Sequence, residues 1–312
     1  MGKVKRAYGY IKRTKHDPDT QKIVFTEEHV DKFHAQFGLN KNSSATSFDL
    51  RNVVHIPASQ APYNQALLGS CSANASTFAE VFDQLKQGNK EPIMGSRLMS
   101  YYNSRALEGT TDTDAGAQIC DAIKSIAQYG YCSEKMWPYD PSKFAVKPPE
   151  KCYNEGKIER AIKFFEIDLS ADTTPSAIVS HLKNALKSGY PIVFGFVVFS
   201  SFESDEVAQT GMMPMPQPDE EIMGGHAVVA VGYDDSKNAF IIRNSWGTDW
   251  GLGGYFYMPY EFISIPELAS EFWIVQGVSN PTNIPNYSPD DLNVYALNLD
   301  YDPSSGGVVN NN

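Results

Sequence analysis

The chain is poor in cysteine: Cys71, Cys120, Cys132 and Cys152 are the only four in 312 residues. They are too scattered for a disulfide framework, and none forms the Cys-x-x-Cys or Cys/His spacing of a zinc site. Positive charge is also short, with a formal net charge of -11. Such a surface repels a phosphate backbone on average, which argues against a general nucleic-acid partner. Nowhere do about 18 apolar residues run together, so no membrane-spanning helix is expected. The basic start MGKVKRAYGYIKRTKH has no apolar stretch behind it to act as a secretory signal, and Arg6 stands where a myristoylation signal wants Ser or Thr. These absences predict a globular chain with no membrane and no nucleic acid, in the cytoplasm or another reducing compartment.

What is present is enough apolar residue, 42% of the chain, to build one large domain or two lobes. Residues 1–46 read as a polar N-terminal segment holding one helix, TEEHVDKFHAQFG, capped by Thr26 and closed by Gly38. NKNSSATS follows as a linker. From about residue 60 to 160 the clearest elements are helical, including one after Cys71 and one around Cys120. Beyond 161 a helix capped by Thr174 leads into YPIVFGFVVF, and HAVVAVGYD and AFIIRNSW flank the short turn DSKN, which predicts a β-rich half to residue 278. Residues 279–312, rich in Pro, Asn, Ser and Gly, read as a flexible C-terminal tail.

Within GSCSANASTFAEVF, Cys71 stands immediately before the helical apolar series Ala75, Phe78, Ala79, Phe82 and Leu85. The amide end of a helix favours a thiolate over a thiol, so this position suits a nucleophile, although a cysteine there is also an ordinary packing residue. His226 opens HAVVAVGYD after Gly224 and Gly225, and the hairpin turning near Asp235 brings Asn244 towards it from the next strand. A thiol, a base and an amide that orients the base are the parts of a nucleophilic site. Gln65, one short loop before Cys71, adds a side-chain amide for a developing oxyanion beside the Cys71 N–H. Cys120 reads as a small buried hydrophobe in AQICDAIKSIAQYG. Whether Cys132 and Cys152 pair is left open.

NQALLGSCSANA, GGHAVVAVGYDD and IIRNSWGTDWGLGGYFYM, in that order, resemble the papain-like cysteine peptidases, a family that includes papain and the cathepsins. DAGAQICDAIKSIAQYGYCSEKMWPYD is similar to the family's groove-lining stretch. The resemblance covers roughly residues 47 to 277. It implies an α+β, two-lobed fold, with a helical left lobe, an antiparallel β-barrel-like right lobe and the active site in the cleft between them. It also implies Cys71 as nucleophile, His226 as general base and acid, Asn244 as orienter and Gln65 in the oxyanion hole. For substrate binding it implies Ala115, Gly116, Gly225 and Trp246, the last covering the His226–Asn244 bond. The reaction expected is endopeptidase hydrolysis of peptides or proteins through a thioester, needing no metal or cofactor.

Leu68 and Ser72 depart from the family's usual cysteine and aromatic at those places, and with GSCSANA they make the chain look closest to the bacterial branch that includes xylellain. In that branch a short N-terminal segment can lie over the cleft, which implies that residues 1–46 either restrain activity as in a zymogen or form a strap that only stabilises the fold. A catalytically silent peptide-binding relative and an acyl transferase or peptide ligase using the same thioester are the alternatives. The acidic, methionine-containing stretch between Glu203 and Gly225 is expected beside the cleft, and ELASEFWIV is expected to contribute to the main specificity pocket.

Overall fold

A computed structural model describes residues 6–14, 20–40, 46–156 and 162–277. The expected tail over 279–312 and most of the expected linker lie outside the described residues.

The chain enters along the cleft and then turns onto the β-rich side. Strand β1 (Lys22–Ile23) pairs in parallel with β3 (Ile162–Ile167), and helix α1 (Glu27–Gln36) follows. Thr26 caps α1 with His29 filling the reciprocal place of a capping box, and Gly38 leaves it at a φ of 64°, which only glycine takes without cost. The face carrying Val30, Phe33 and His34 is buried, and α1 packs on α6 (Pro175–Lys187). The described residues of the segment 1–46, read from the sequence as one appended unit, are therefore divided. Residues 20–40 are part of the β lobe, whereas residues 6–14 lie in the cleft.

After β2 (Ser47–Asp49), four helices make the other lobe: α2 (Cys71–Lys86), α3 (Arg97–Glu108), α4 (Ile119–Tyr129) and α5 (Glu150–Gly156). The apolar series on α2 predicts a helix with one wet face. Instead, every residue from Cys71 to Gln84 is buried, because α2 packs against strands β5 (Ile222–Asp234) and β8 (Ala269–Gly277) on one side and α3 and α4 on the other. Some of its buried polar groups are paired within the protein, as where Gln84 Nε2 donates to Glu80 (2.8 Å) and to Tyr131 Oη (2.6 Å), whereas the Ser72 and Ser76 hydroxyls have no hydrogen-bond partner.

The β lobe is an eight-stranded, largely antiparallel sheet in the order β1-β3-β8-β4-β5-β6-β7, with β2 added beside β5. The remaining strands are β4 (Ile192–Phe199), β5 (Ile222–Asp234), β6 (Ala239–Arg243), β7 (Tyr255–Pro259) and β8 (Ala269–Gly277); α7 (Asp205–Thr210) and α8 (Tyr260–Ile263) are short connections. Phe194, Phe196, Val228, Ile242, Phe256 and Trp273 fill the core, each almost fully buried. β5 runs next to α2, so the sheet and the long helix meet along one seam, and the site is built there.

Candidate active site

Cys71 is the first residue of α2, and His226 lies in β5 opposite Phe196 of β4. The backbone N–H of Ala227, the residue after His226, is directed at the Cys71 sulfur, which places β5 against the mouth of α2. Asn244 stands just past the end of β6, whose ladder with β5 begins at Val229 opposite Arg243. It reaches back from there: His226 Nε2 donates to Asn244 Oδ1 at 2.8 Å, in a buried bond. This leaves Nδ1 of His226 as the other ring nitrogen, buried and without a hydrogen-bond partner. Trp246 stacks on the His226 ring with centroids 5.0 Å apart, screening that bond from water.

Gln65 is fully buried and held from several directions. Its Oε1 accepts from Ser245 Oγ (2.6 Å), its backbone N–H donates to Ser245 O (2.9 Å), and its backbone carbonyl accepts from Tyr139 Oη (2.9 Å). Ser245 and Tyr139 thus fix the amide that the sequence singled out. Neither carries a signal of its own beyond adjacency to Asn244 and membership of Trp137-Pro138-Tyr139.

The cleft is filled by residues 6–14. Tyr10 N–H donates to Gly225 O (3.0 Å) on the β5 wall, while on the opposite wall Ala117 N–H donates to Gly9 O (2.7 Å) and Ile11 N–H to Ala117 O (3.4 Å). The backbone pairing therefore falls on Ala117. Gly116, beside it, packs flat on Gly9, where a Cβ would meet the Gly9 carbonyl oxygen at 2.2 Å, and Ala115 is exposed. Gly9 itself is wedged against Gly69, whose oxygen lies 1.7 Å from where a Gly9 Cβ would stand.

Side chains complete the fit. Tyr8 sets its ring edge on His226 and Trp246 and donates its hydroxyl to Glu203, within the acidic stretch expected beside the cleft. Arg6 lies over the Trp246 ring, 4.4 Å from its centroid. The Tyr10 ring occupies a pocket floored by Gly195, where a Cβ would be 2.1 Å from the ring, and its hydroxyl donates to Glu271 Oε1 (2.8 Å) in ELASEFWIV. Arg13 follows, its N–H on the same Glu271 oxygen (2.6 Å) and its guanidinium on both oxygens of Glu166 (2.9 and 3.0 Å).

This occupancy sets the electrostatics. A cysteine at a helix start is expected to have a lowered pKa, but the Cys71 thiol is pushed up to about 11. Burial is the cause, and the N–H groups of Ala227, Gly9, Ser72 and Cys71, which favour the thiolate, do not offset it. Burial likewise lowers His226 to about 4; the bond to Asn244 raises it, and the charge of Arg6 lowers it further. With the cleft filled, thiol and imidazole are both neutral at pH 7. Among the described residues no group of acidic, histidine or cysteine side chains is arranged to hold a metal ion.

The geometry has counterparts in known proteins. The model of the papain family of cysteine proteases matches residues 44–271. An uncharacterized peptidase C1-like protein of Acanthamoeba polyphaga mimivirus is 46% identical over 308 residues, covering 99% of this chain and 98% of that protein. A cathepsin B-like protein of Giardia intestinalis is 30% identical over 46% of this chain and 48% of its own length, so the chain spans about half of that relative. The crystal structure of xylellain, a cysteine protease from Xylella fastidiosa, superposes with a TM-score of 0.73 at 32% identity, covering 89% of this chain and 98% of that one. A procathepsin B from Trypanosoma congolense shares the fold, with a TM-score of 0.61 at 18% identity over 88% of this chain and 87% of that one. With a cysteine at the head of its long buried helix, a buried histidine–asparagine pair and a family match that spans both lobes, this chain belongs to the papain family of cysteine proteases.

Proposed function

We propose that the chain is a cysteine endopeptidase held latent by residues 6–14. The observation that carries the reading is the juxtaposition of a complete Cys71–His226–Asn244–Gln65 set with a chain segment lying directly on it. In the open enzyme, water enters the cleft, the penalty on charge falls, and His226 Nδ1 takes the Cys71 proton. The thiolate attacks a peptide carbonyl, and the oxyanion is received by Gln65 Nε2 and the Cys71 N–H. His226 protonates the leaving amine and then activates the water that releases the acid from the thioester.

The segment opposes each of these steps. One Gln65 Nε2 hydrogen bond goes to Leu68 O (2.9 Å) and the other to Ala7 O (3.3 Å), so a strap carbonyl already uses the donor that the oxyanion needs. At the sulfur stands the Gly9 N–H, a group that no nucleophile attacks, so the strap blocks without presenting itself for cleavage.

The test is labelling by an epoxysuccinyl peptide that alkylates activated thiols, read by mass spectrometry on the full chain, on a chain beginning at Thr20, and on Cys71→Ala. One adduct on Cys71, faster in the shortened chain and absent in Cys71→Ala, is expected, together with peptide hydrolysis by the shortened chain. A folded shortened chain that takes no label would leave a silent peptide-binding protein as the better reading. Labelling without hydrolysis, with products joined to an added amine, would point instead to acyl transfer.

A further inference from the structure

Cys132 and Cys152 are fully buried, and neither takes part in the cleft. One follows α4 and the other lies in α5, and these stretches touch at several points apart from the thiols. Gly130 sits so close to Gly156 that a Cβ on it would lie 2.0 Å from the Gly156 carbonyl oxygen. Ser133 N–H donates to Glu155 Oε1 (3.3 Å), and the Tyr129 and Tyr153 rings meet edge to face at 6.1 Å. The two cysteines and Met99 form a small apolar cluster of their own, which sets the two thiols side by side. Cys120 belongs to the main core instead.

We propose that Cys132 and Cys152 are a site of reversible disulfide formation that staples the lobe carrying Cys71. The surrounding contacts hold the two stretches side by side with both thiols in one cluster, which is the placement that a disulfide needs.

The chemistry needs a two-electron oxidant, here a small disulfide such as oxidised glutathione. The thiolate of one cysteine attacks it, forming a mixed disulfide and releasing one glutathione thiol. The second cysteine attacks the protein sulfur of that mixed disulfide and releases the other. Two protein thiols are oxidised, one external disulfide is reduced to two thiols, and the protons pass from the former to the latter. Burial and the neighbouring thiol hold Cys132 protonated, so the closed pair is a slow nucleophile. Exchange therefore proceeds before the lobe has closed or when it opens locally, and the pair records the redox conditions in which the chain folds.

The consequence reaches the active site. The bond closes the 19 residues between the two cysteines, which include Trp137 and Tyr139. Ser96 Oγ donates to Trp137 O (2.7 Å), Tyr139 lies under the Arg97 guanidinium (4.2 Å), and Tyr139 Oη donates to Gln65 O. That loop is the outer support of the Gln65 loop, and closing it lowers the entropy of the unfolded chain.

The test uses the full chain in a Cys71→Ala background, so that the cleft thiol does not react. The protein is refolded in oxidised or in reduced glutathione, free thiols are alkylated, and unreduced peptides are mapped and melting curves recorded. The expected result is a Cys132–Cys152 linked peptide with Cys120 alkylated, and a melting temperature higher by on the order of 5 °C that dithiothreitol reverses. Cys132→Ser and Cys152→Ser should abolish both changes. If either variant does not fold, the oxidised and reduced forms of the intact pair decide alone. Recovery of both cysteines only as separately alkylated or glutathionylated peptides after oxidative refolding, or a linked form that melts no higher than the reduced one, would overturn the proposal.

Discussion

Two neighbouring stretches of the N-terminal segment are held in opposite ways. Residues 20–40 are held by burial: Ile23, Phe25, Val30 and Phe33 all join the core, and Phe33 lies so close to Gly189 that a Cβ there would be 2.3 Å from the ring. Residues 6–14 are held by backbone hydrogen bonds to the two cleft walls, by tyrosine and arginine contacts to Glu203, Glu271 and Glu166, and by a passage of glycines too narrow for side chains. Apolar burial is lost only on unfolding, whereas polar contacts exchange with water at small net cost. On the proposed function the first stretch is a permanent anchor and the second a removable strap, the division that a latent enzyme would require.

The largest effect should come from the anchor. Phe33→Ala removes a ring that is 2% exposed and should cost about 3–5 kcal/mol of stability, read as a lower midpoint in urea. An equally large loss on Tyr8→Ala would erase the distinction, because it would make the strap part of the core. For the same reason a chain cut at Ser47 is a poor probe of restraint, since it discards the anchor along with the strap, and Thr20 is the better starting point.

Removing residues 1–19 comes next. Labelling of Cys71 should rise on the order of 100-fold at pH 7, since a tethered occupant competes at high effective concentration. The pH profile should change shape as well. In the full chain, with the thiol at about 11 and His226 at about 4, neither group is charged across the neutral range, and labelling should climb about tenfold per pH unit as the thiolate fraction grows. In the shortened chain it should follow a bell, lost in acid as the thiolate is protonated and in alkali as His226 loses its proton. A parallel climb in both chains would mean that the strap does not set the charge state of the pair.

Gly9→Ala should act in the same direction more weakly, by about tenfold, by unseating the strap while the anchor stays in place. The added Cβ meets backbone atoms of Gly69, which cannot rotate away. An unchanged labelling rate with an unchanged melting temperature would show that the passage relaxes around it.

These tests probe what the sequence did and did not disclose. The placement of Cys71, His226, Asn244 and Gln65 around one seam was legible because each sits in a short local pattern, a helix start, a strand after two glycines, a hairpin partner and a loop. The xylellain-like branch and the cleft-covering segment were legible only through resemblance. Tyr8-Gly9-Tyr10 has no local pattern that announces its contacts, since Tyr10 meets Glu271 261 positions away. Residues 20–40 look too polar for a core element, because α1 buries just Val30, Phe33 and His34. The thiol pKa was expected to move in the wrong direction because a helix dipole is a local property, whereas desolvation depends on everything folded over the sulfur.

The smallest effect sharpens the account of the strap's end. Glu271 Oε1 accepts from both Tyr10 and Arg13, but Oε2 is buried with no hydrogen-bond partner, and burial raises the carboxyl pKa. A carboxyl with a raised folded pKa binds its proton more tightly in the native state. Its contribution is therefore neutral below the unfolded value of about 4.3 and becomes unfavourable as the pH rises through the folded one. Glu271→Gln keeps the Oε1 acceptor and removes the unpaired charge. It should leave the strap seated and match the parent in stability below about pH 4, then exceed it by about 1 kcal/mol at pH 7. If the variant is instead less stable at pH 7 and labels faster, the carboxylate is charged in the folded protein and its attraction for Arg13 helps to hold the strap, which would make the clamp ionic at both Glu166 and Glu271.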